Sequence, residues 1–95
     1  MVVSVIMFKL KEKSAENISR ITEKLVGMKG KIAQLKDIKV KANLNNSPTG
    51  FDAVMIAEYS SMKDFDEYAV HPVHVEVGSF VVSLCEQIAS TLYEE

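Results

Sequence analysis

The sequence predicts an α+β fold in which helices cover one face of a four-stranded antiparallel sheet. The chain has 95 residues, of which 47% are hydrophobic and 25% charged, the composition of one ordinary globular domain. Stretches with apolar residues at every second position, typical of strands, are interspersed with stretches at helical spacing. The order is strand, helix, strand, strand, helix in two pieces, strand, and we expect one domain over residues 1–95.

The first strand and the first helix follow from the first 30 residues. Val2 to Leu10 is rich in β-branched and aromatic residues and is short for a helix, so it predicts a strand. Ser14 is a candidate N-cap. One apolar stripe at helical spacing follows it, and two glycines would end that helix: the stripe is Ile18, Ile21, Leu25 and Met28, and the glycines are Gly27 and Gly30.

A hairpin is predicted in the middle of the chain. Apolar and polar residues alternate strictly from Asp37 to Leu44, which is the pattern of a half-exposed strand. From Phe51 to Tyr59 the residues again alternate between two faces, with Val54 and Ile56 on the face opposite Met55. Residues 45–50, Asn46 among them, are turn-forming types. We therefore expect two antiparallel strands joined by a long loop.

The second half of the chain predicts a helix in two pieces and a last strand. Ser61 stands three residues before Asp64, which resembles a capping box and starts a short helix. Pro72 suits the first position of a second helix, while the residue before a proline is biased away from helical geometry. We expect His71 to cap this second helix. The last strand runs from about Glu86 to Tyr93.

This order of elements is the ferredoxin-like split βαβ arrangement, in which the first and third strands are central and the helices lie on one face. The first strand nevertheless has apolar residues on both faces, with Val3 and Val5 on one and Ile6 and Phe8 on the other. An uncovered apolar face favours association. We expect a homodimer through sheet-to-sheet packing, a dimeric α/β barrel; the alternative is a monomer whose open face holds a ligand.

Charge and cysteine content exclude several classes of function. Eleven basic and thirteen acidic residues give a net charge of −2, the wrong sign for a nucleic-acid partner. The apolar N-terminus lacks a basic region and is shorter than a membrane span, so we expect no membrane partner and a cytoplasmic location. Cys85 cannot form an internal disulfide and is expected in the core. His71, His74 and Glu76 are too few for a zinc site, so no metal and no cofactor are expected.

Both histidines lie in one short segment, from Tyr68 to Gly78. A histidine near helix N-terminal amides is disfavoured as a cation and stays available as a base, and a tyrosine hydroxyl can polarise a carbonyl. We take His74 and Tyr68 as candidate catalytic residues, and His71, Gly78 and Phe8 as candidate ligand-binding residues. The alternatives are that His71 only caps its helix and that His74 and Tyr68 only pack in the core.

Three parts of the sequence resemble the stress-responsive dimeric α/β-barrel (Dabb) family: the first strand, the Asn-rich loop before Phe51, and the Tyr-x-x-His-Pro-x-His block from Tyr68 to His74. The resemblance covers essentially the whole chain and implies a ferredoxin-like protomer in a homodimeric barrel, in a family whose members mostly have no assigned reaction. In members that cyclise linear polyketides, the second His of the block is the base and the Tyr its partner, which implies His74 and Tyr68. Those members also carry a His in the first strand, where this sequence has Ser4.

Three functions remain open from the sequence. The first is a dimeric barrel that binds an apolar small molecule and performs no chemistry. The second is a cofactor-free enzyme, a polyketide cyclase or an isomerase, in which His74 removes a proton next to a carbonyl. The third is a monooxygenase-like or haem-handling barrel. A cavity that reaches both His74 and Tyr68 would favour a small-molecule site over a filled core.

Overall fold

A computed structural model describes residues 1–45 and 47–95 of the chain. It contains four strands and three helices in the predicted order, with the helical region of the second half divided at His71 as expected. The strands are β1 (Val2–Leu10), β2 (Asp37–Ala42), β3 (Ala53–Tyr59) and β4 (Cys85–Glu94), and the helices are α1 (Ala15–Val26), α2 (Met62–Ala69) and α3 (Pro72–Leu84).

The four strands form one antiparallel sheet in the order β2-β3-β1-β4. The first and third strands are therefore central, and the predicted ferredoxin-like fold is confirmed. Val5 lies at the middle of the sheet, opposite Ile56 on β3 and Thr91 on β4. Because side chains alternate between the faces of a strand, this register decides which residues face the helices.

Two strand boundaries in the hairpin differ from the prediction. The second strand ends at Ala42, and Leu44 is fully exposed in the loop instead of lying in the strand. The side chain of Asn43 explains this end, because its Oδ1 accepts from the Asn45 N–H at 2.8 Å and its amide donates to the Phe51 carbonyl at 2.6 Å. Such local bonds compete with the ladder of a sheet. The third strand begins at Ala53, and Asn46 lies outside the described residues.

Each helix begins at the side chain that the sequence predicts as its cap. The Ser14 hydroxyl accepts from the Asn17 N–H at 3.0 Å, and the Ser61 hydroxyl accepts from the Asp64 N–H at 3.2 Å. His71 has extended backbone geometry, and its Nδ1 accepts from the N–H two residues ahead at 3.1 Å. These bonds satisfy N–H groups that have no partner within the helix.

The core lies between the helices and one face of the sheet. Every second residue of β1 and β3 faces the helices, and these residues supply much of the core. Phe8 and Cys85 are buried there. The largest fully buried side chains are Tyr59, Ile21, Met28, Ile32, Met55 and Val2. The other face of the sheet, which we call the open face, presents Val5, Met7, Val54 and Ile56, while Val3 on the same side is 4% exposed.

The Asp52 carboxylate bridges an irregularity in strand pairing near the end of β1. The pairing of β1 with β4 shifts register between Lys9 and Leu10. The buried Leu10 N–H donates to Asp52 Oδ2 at 2.8 Å, while the Asp52 N–H donates to the Phe8 carbonyl at 2.8 Å. Asp52 thus joins the end of the first strand to the segment that leads into the third.

Candidate functional site

A cavity of about 250 Å³ lies between the sheet and the helices α2 and α3. Residues of three strands form the floor of the cavity. Their side chains all point to the helix-facing side of the sheet, because side chains alternate between the two faces along each strand. These are Ser4 and Ile6 of β1, Met55 and Tyr59 of β3, and Ser90 and Leu92 of β4. The helices contribute Phe65, Tyr68 and His74.

His74 reaches this cavity from the first turn of α3, three residues after the cap at His71. Its Nδ1 lies 3.0 Å from the Ala69 carbonyl oxygen. A carbonyl can only accept, so in the neutral ring Nδ1 carries the hydrogen and Nε2 keeps a free lone pair. The break between the two helices therefore orients the imidazole and leaves one nitrogen able to accept a proton.

Tyr68 lies directly against His74, with ring centroids 4.3 Å apart and ring planes inclined by 37°. It is buried on the last turn of α2. Burial raises the pKa of Tyr68, and the interaction with the Tyr59 hydroxyl opposes part of this rise. The structure thus brings the two predicted catalytic residues together at one cavity.

The three predicted ligand-binding residues lie elsewhere. Phe8 is 3% exposed within the hydrophobic core, and His71 uses its Nδ1 as a helix cap. A Cβ at Gly78 would meet no atom within 4 Å, so this glycine faces open space. None of the three lines the cavity beside His74. Their proposed contact with a ligand stays a prediction that this placement does not support.

Tyr59 also lines the cavity, although the sequence did not identify it as a site residue. Its side chain is fully buried, and its hydroxyl interacts with the neighbouring Tyr68 hydroxyl but makes no hydrogen bond of ordinary geometry among the described residues. Its ring packs edge-on against Phe65 at 5.2 Å and tilted against Tyr68 at 4.8 Å. Burial raises the pKa of Tyr59, and the neighbouring Tyr68 raises it further. The alternation from Phe51 to Tyr59 places Tyr59 on the core face, and this is the sequence feature from which the residue could have been found.

A larger groove of about 610 Å³ runs over the helices, between α1 and α3. Its central aromatic ring, Phe80, lies under the Arg20 guanidinium at 5.5 Å and the Lys24 ammonium at 5.8 Å. Neither Tyr68 nor His74 lines this groove. It is therefore a separate surface from the cavity that holds the predicted catalytic pair.

The described residues contain neither a metal-binding cluster nor a membrane-spanning helix. Across 1–45 and 47–95, no group of three or more His, Cys, Asp or Glu side chains is placed to hold a metal ion. No helix in those same ranges is long and apolar enough to cross a bilayer. Burial raises the pKa of the Cys85 thiol, which disfavours the reactive thiolate.

The fold and the cavity define a ferredoxin-like α+β domain with a small pocket between its sheet and its helices. The chain belongs to the stress responsive A/B barrel domain (Dabb) family, whose sequence pattern matches residues 2–94. This confirms the resemblance that the Tyr-x-x-His-Pro-x-His block indicates. No curated protein matches the chain in sequence.

Solved structures share this fold over nearly the whole chain. A Dabb family protein from Mesorhizobium loti has a TM-score of 0.83 and 18% identity, covering 99% of this chain and 95% of its own. A dimeric protein of unknown function from Bacteroides fragilis has a TM-score of 0.79 and 24% identity, covering 99% and 95%. A hydroxynitrile lyase from Passiflora edulis has a TM-score of 0.86 and 18% identity, covering 97% and 90%. Identities this low show a common fold.

Proposed function

We propose that this protein is a homodimeric barrel that binds a small, largely apolar molecule in the cavity beside His74. The observation that carries the proposal is a cavity that reaches both Tyr68 and His74. Its lining is mainly apolar and aromatic with a few polar groups, which is the usual character of a small-molecule site. At about 250 Å³ it lies just below the roughly 300–1,000 Å³ of drug-sized pockets, so the ligand is small.

The open face of the sheet supports the dimer. Val5 and Ile56 lie opposite each other at its centre, and Met7 beside them is 39% exposed. An apolar surface of this kind favours association with another surface like it. Neighbours with the same fold are described as dimeric proteins, which is consistent with two copies packing sheet to sheet.

A matched pair of tryptophan variants tests the ligand site. Ser90 lines the cavity from the edge strand β4, whereas Ser79 is exposed on α3 and does not line it. The probe is acetophenone, followed by ¹H–¹⁵N NMR. We expect shifts at Ile6, His74 and Leu92 in the wild type and in Ser79→Trp, and at least about tenfold weaker binding in Ser90→Trp because the indole fills the cavity. Equal binding by the two variants, or no shifts at the cavity, contradicts the proposed site.

A second candidate function is proton transfer next to a carbonyl with no cofactor, as a cyclase or isomerase performs it. The observation that favours it is the Nδ1 contact of His74 with the Ala69 carbonyl, which leaves Nε2 as the base. In this reaction Nε2 takes a proton from the carbon beside the carbonyl, and the enolate oxygen accepts a hydrogen bond from the Tyr68 hydroxyl. The Passiflora edulis lyase has the same fold, so the fold is compatible with a reaction.

Exchange of the methyl protons of acetophenone in D₂O at neutral pD tests this second function. If Nε2 removes a proton, the protein accelerates deuterium uptake at the methyl group, and His74→Gln returns the rate to the background. His71→Asn is the control, because asparagine also caps a helix and the imidazole of His71 does not line the cavity. Equal exchange in the wild type and His74→Gln would rule out His74 as the base.

Two expectations from the sequence, the monooxygenase-like alternative and the cytoplasmic location, stay predictions. A haem is larger than a typical drug-sized ligand, so it would not fit inside the cavity beside His74, and no contact in the described residues favours the monooxygenase-like alternative. The cytoplasmic location expected from the sequence is likewise a prediction.

A further inference from the structure

The hydroxyl of Tyr59 is a buried polar group that lacks a well-formed hydrogen bond at the wall of the cavity. The side chain is 0% exposed and lines the cavity, and its oxygen interacts with the Tyr68 hydroxyl without a hydrogen bond of ordinary geometry to any described residue. Buried tyrosine hydroxyls usually find a partner, because an unmade hydrogen bond leaves the cost of removing the group from water uncompensated. An exception of this kind needs a reason.

The position of this hydroxyl supplies a reason. The Tyr59 ring is held between Phe65 and Tyr68 by aromatic contacts at 5.2 and 4.8 Å, so its orientation is fixed by packing. A group oriented in this way is ready to bond a molecule that enters the cavity, without further loss of side-chain freedom. Burial also raises the pKa of Tyr59, so the phenol keeps the hydrogen that it can donate.

We propose that Tyr59 donates a hydrogen bond to a neutral oxygen of the ligand, and that the ligand is a small apolar carbonyl compound such as a ketone, an aldehyde or an ester. This inference rests on the proposed function and specifies the ligand of the same cavity. A neutral oxygen is favoured because no Lys or Arg is found among the described residues that line the cavity, so a buried carboxylate would have only His74, once protonated, as a cation.

Two molecules of the same shape test the inference. Acetophenone carries a carbonyl where α-methylstyrene carries a methylene group, so the pair differs mainly in the hydrogen-bond acceptor. Their dissociation constants are measured by NMR titration for the wild type, Tyr59→Phe and Tyr93→Phe. Tyr93 lies opposite Val3 on the open face and does not line the cavity, so it controls for the loss of a tyrosine hydroxyl elsewhere.

We expect the wild type and Tyr93→Phe to bind acetophenone about fivefold more tightly than α-methylstyrene, the ratio that one net hydrogen bond gives. Tyr59→Phe should lose this preference while it binds α-methylstyrene as before. Equal binding of both molecules by the wild type, or a preference that Tyr59→Phe retains, overturns the inference but leaves the site intact. If neither molecule binds the wild type at the cavity, the proposed function fails, and the inference fails with it.

Discussion

Single side chains determine how the cavity can act. His74 is oriented by one carbonyl, Tyr68 by its contact with the imidazole, and Tyr59 by the rings on either side of it. The hydroxyl of Tyr59 differs from the imidazole of His74 because it is fully buried without a hydrogen bond of ordinary geometry in the free protein. We therefore expect the Tyr59 hydroxyl to strengthen ligand binding and to lower the stability of the free protein.

Tyr59→Phe should leave the free energy of unfolding unchanged or raise it by up to about 1 kcal/mol, because the variant removes a buried hydroxyl without a well-formed hydrogen bond and keeps the ring. Urea unfolding followed by circular dichroism measures this difference without a ligand. Ser79→Ala, which removes an exposed hydroxyl on α3, should change stability by less than about 0.5 kcal/mol. A loss of more than 1 kcal/mol in Tyr59→Phe would mean that the hydroxyl has a structural partner.

Polar side chains determine where several helices and strands begin or end. Prediction from the sequence succeeded at the helix starts and failed at the end of β2. The three helix starts were predictable, because a Ser cap or a His-Pro pair acts through bonds to the next few residues. The end of β2 was not, since the alternation continues to Leu44 while the bonds of Asn43 stop the strand. The lack of a well-formed hydrogen bond at Tyr59 depends on residues far apart in the chain, so no local pattern could show it.

Asp52 provides a test at the scale of elements. Asp52→Ala leaves the buried Leu10 N–H without an acceptor and Lys13 without the carboxylate that lies 3.6 Å from its ammonium. We expect a loss of about 1–3 kcal/mol in the free energy of unfolding. Asp52→Asn should lose less, because its amide oxygen still accepts from Leu10. Asp66→Ala, on the exposed side of α2, is the control, and a similar effect of all three substitutions would contradict this role.

For the whole molecule, the open face of the sheet is the feature to explain. The helices shield one side only, and the apolar residues opposite them sit on the two central strands. The sequence already indicated this arrangement, because β1 is apolar on both faces. It could not specify the cavity, whose walls come from five separate elements.

Ile56→Lys tests whether the open face is the dimer interface. The wild type should have a mass of about 21 kDa by light scattering, twice the 10.6 kDa of the chain. A lysine at the centre of the interface should shift the mass to that of one chain, because its charge would be buried without a partner. Val75→Lys, at a 53% exposed position on α3, should leave the mass at the wild-type value. A monomeric wild type at micromolar concentration would overturn the dimer.

Cys85 lies at the junction where α3 passes directly into β4, and the residue is 8% exposed. As the single cysteine of the 95 residues, it is a natural reporter for the opening of that junction. An alkylating reagent should modify it faster while the last strand is detached from Leu10 than while the strand is paired. The rate of labelling therefore measures how often the edge of the sheet comes loose, with no need for an introduced dye.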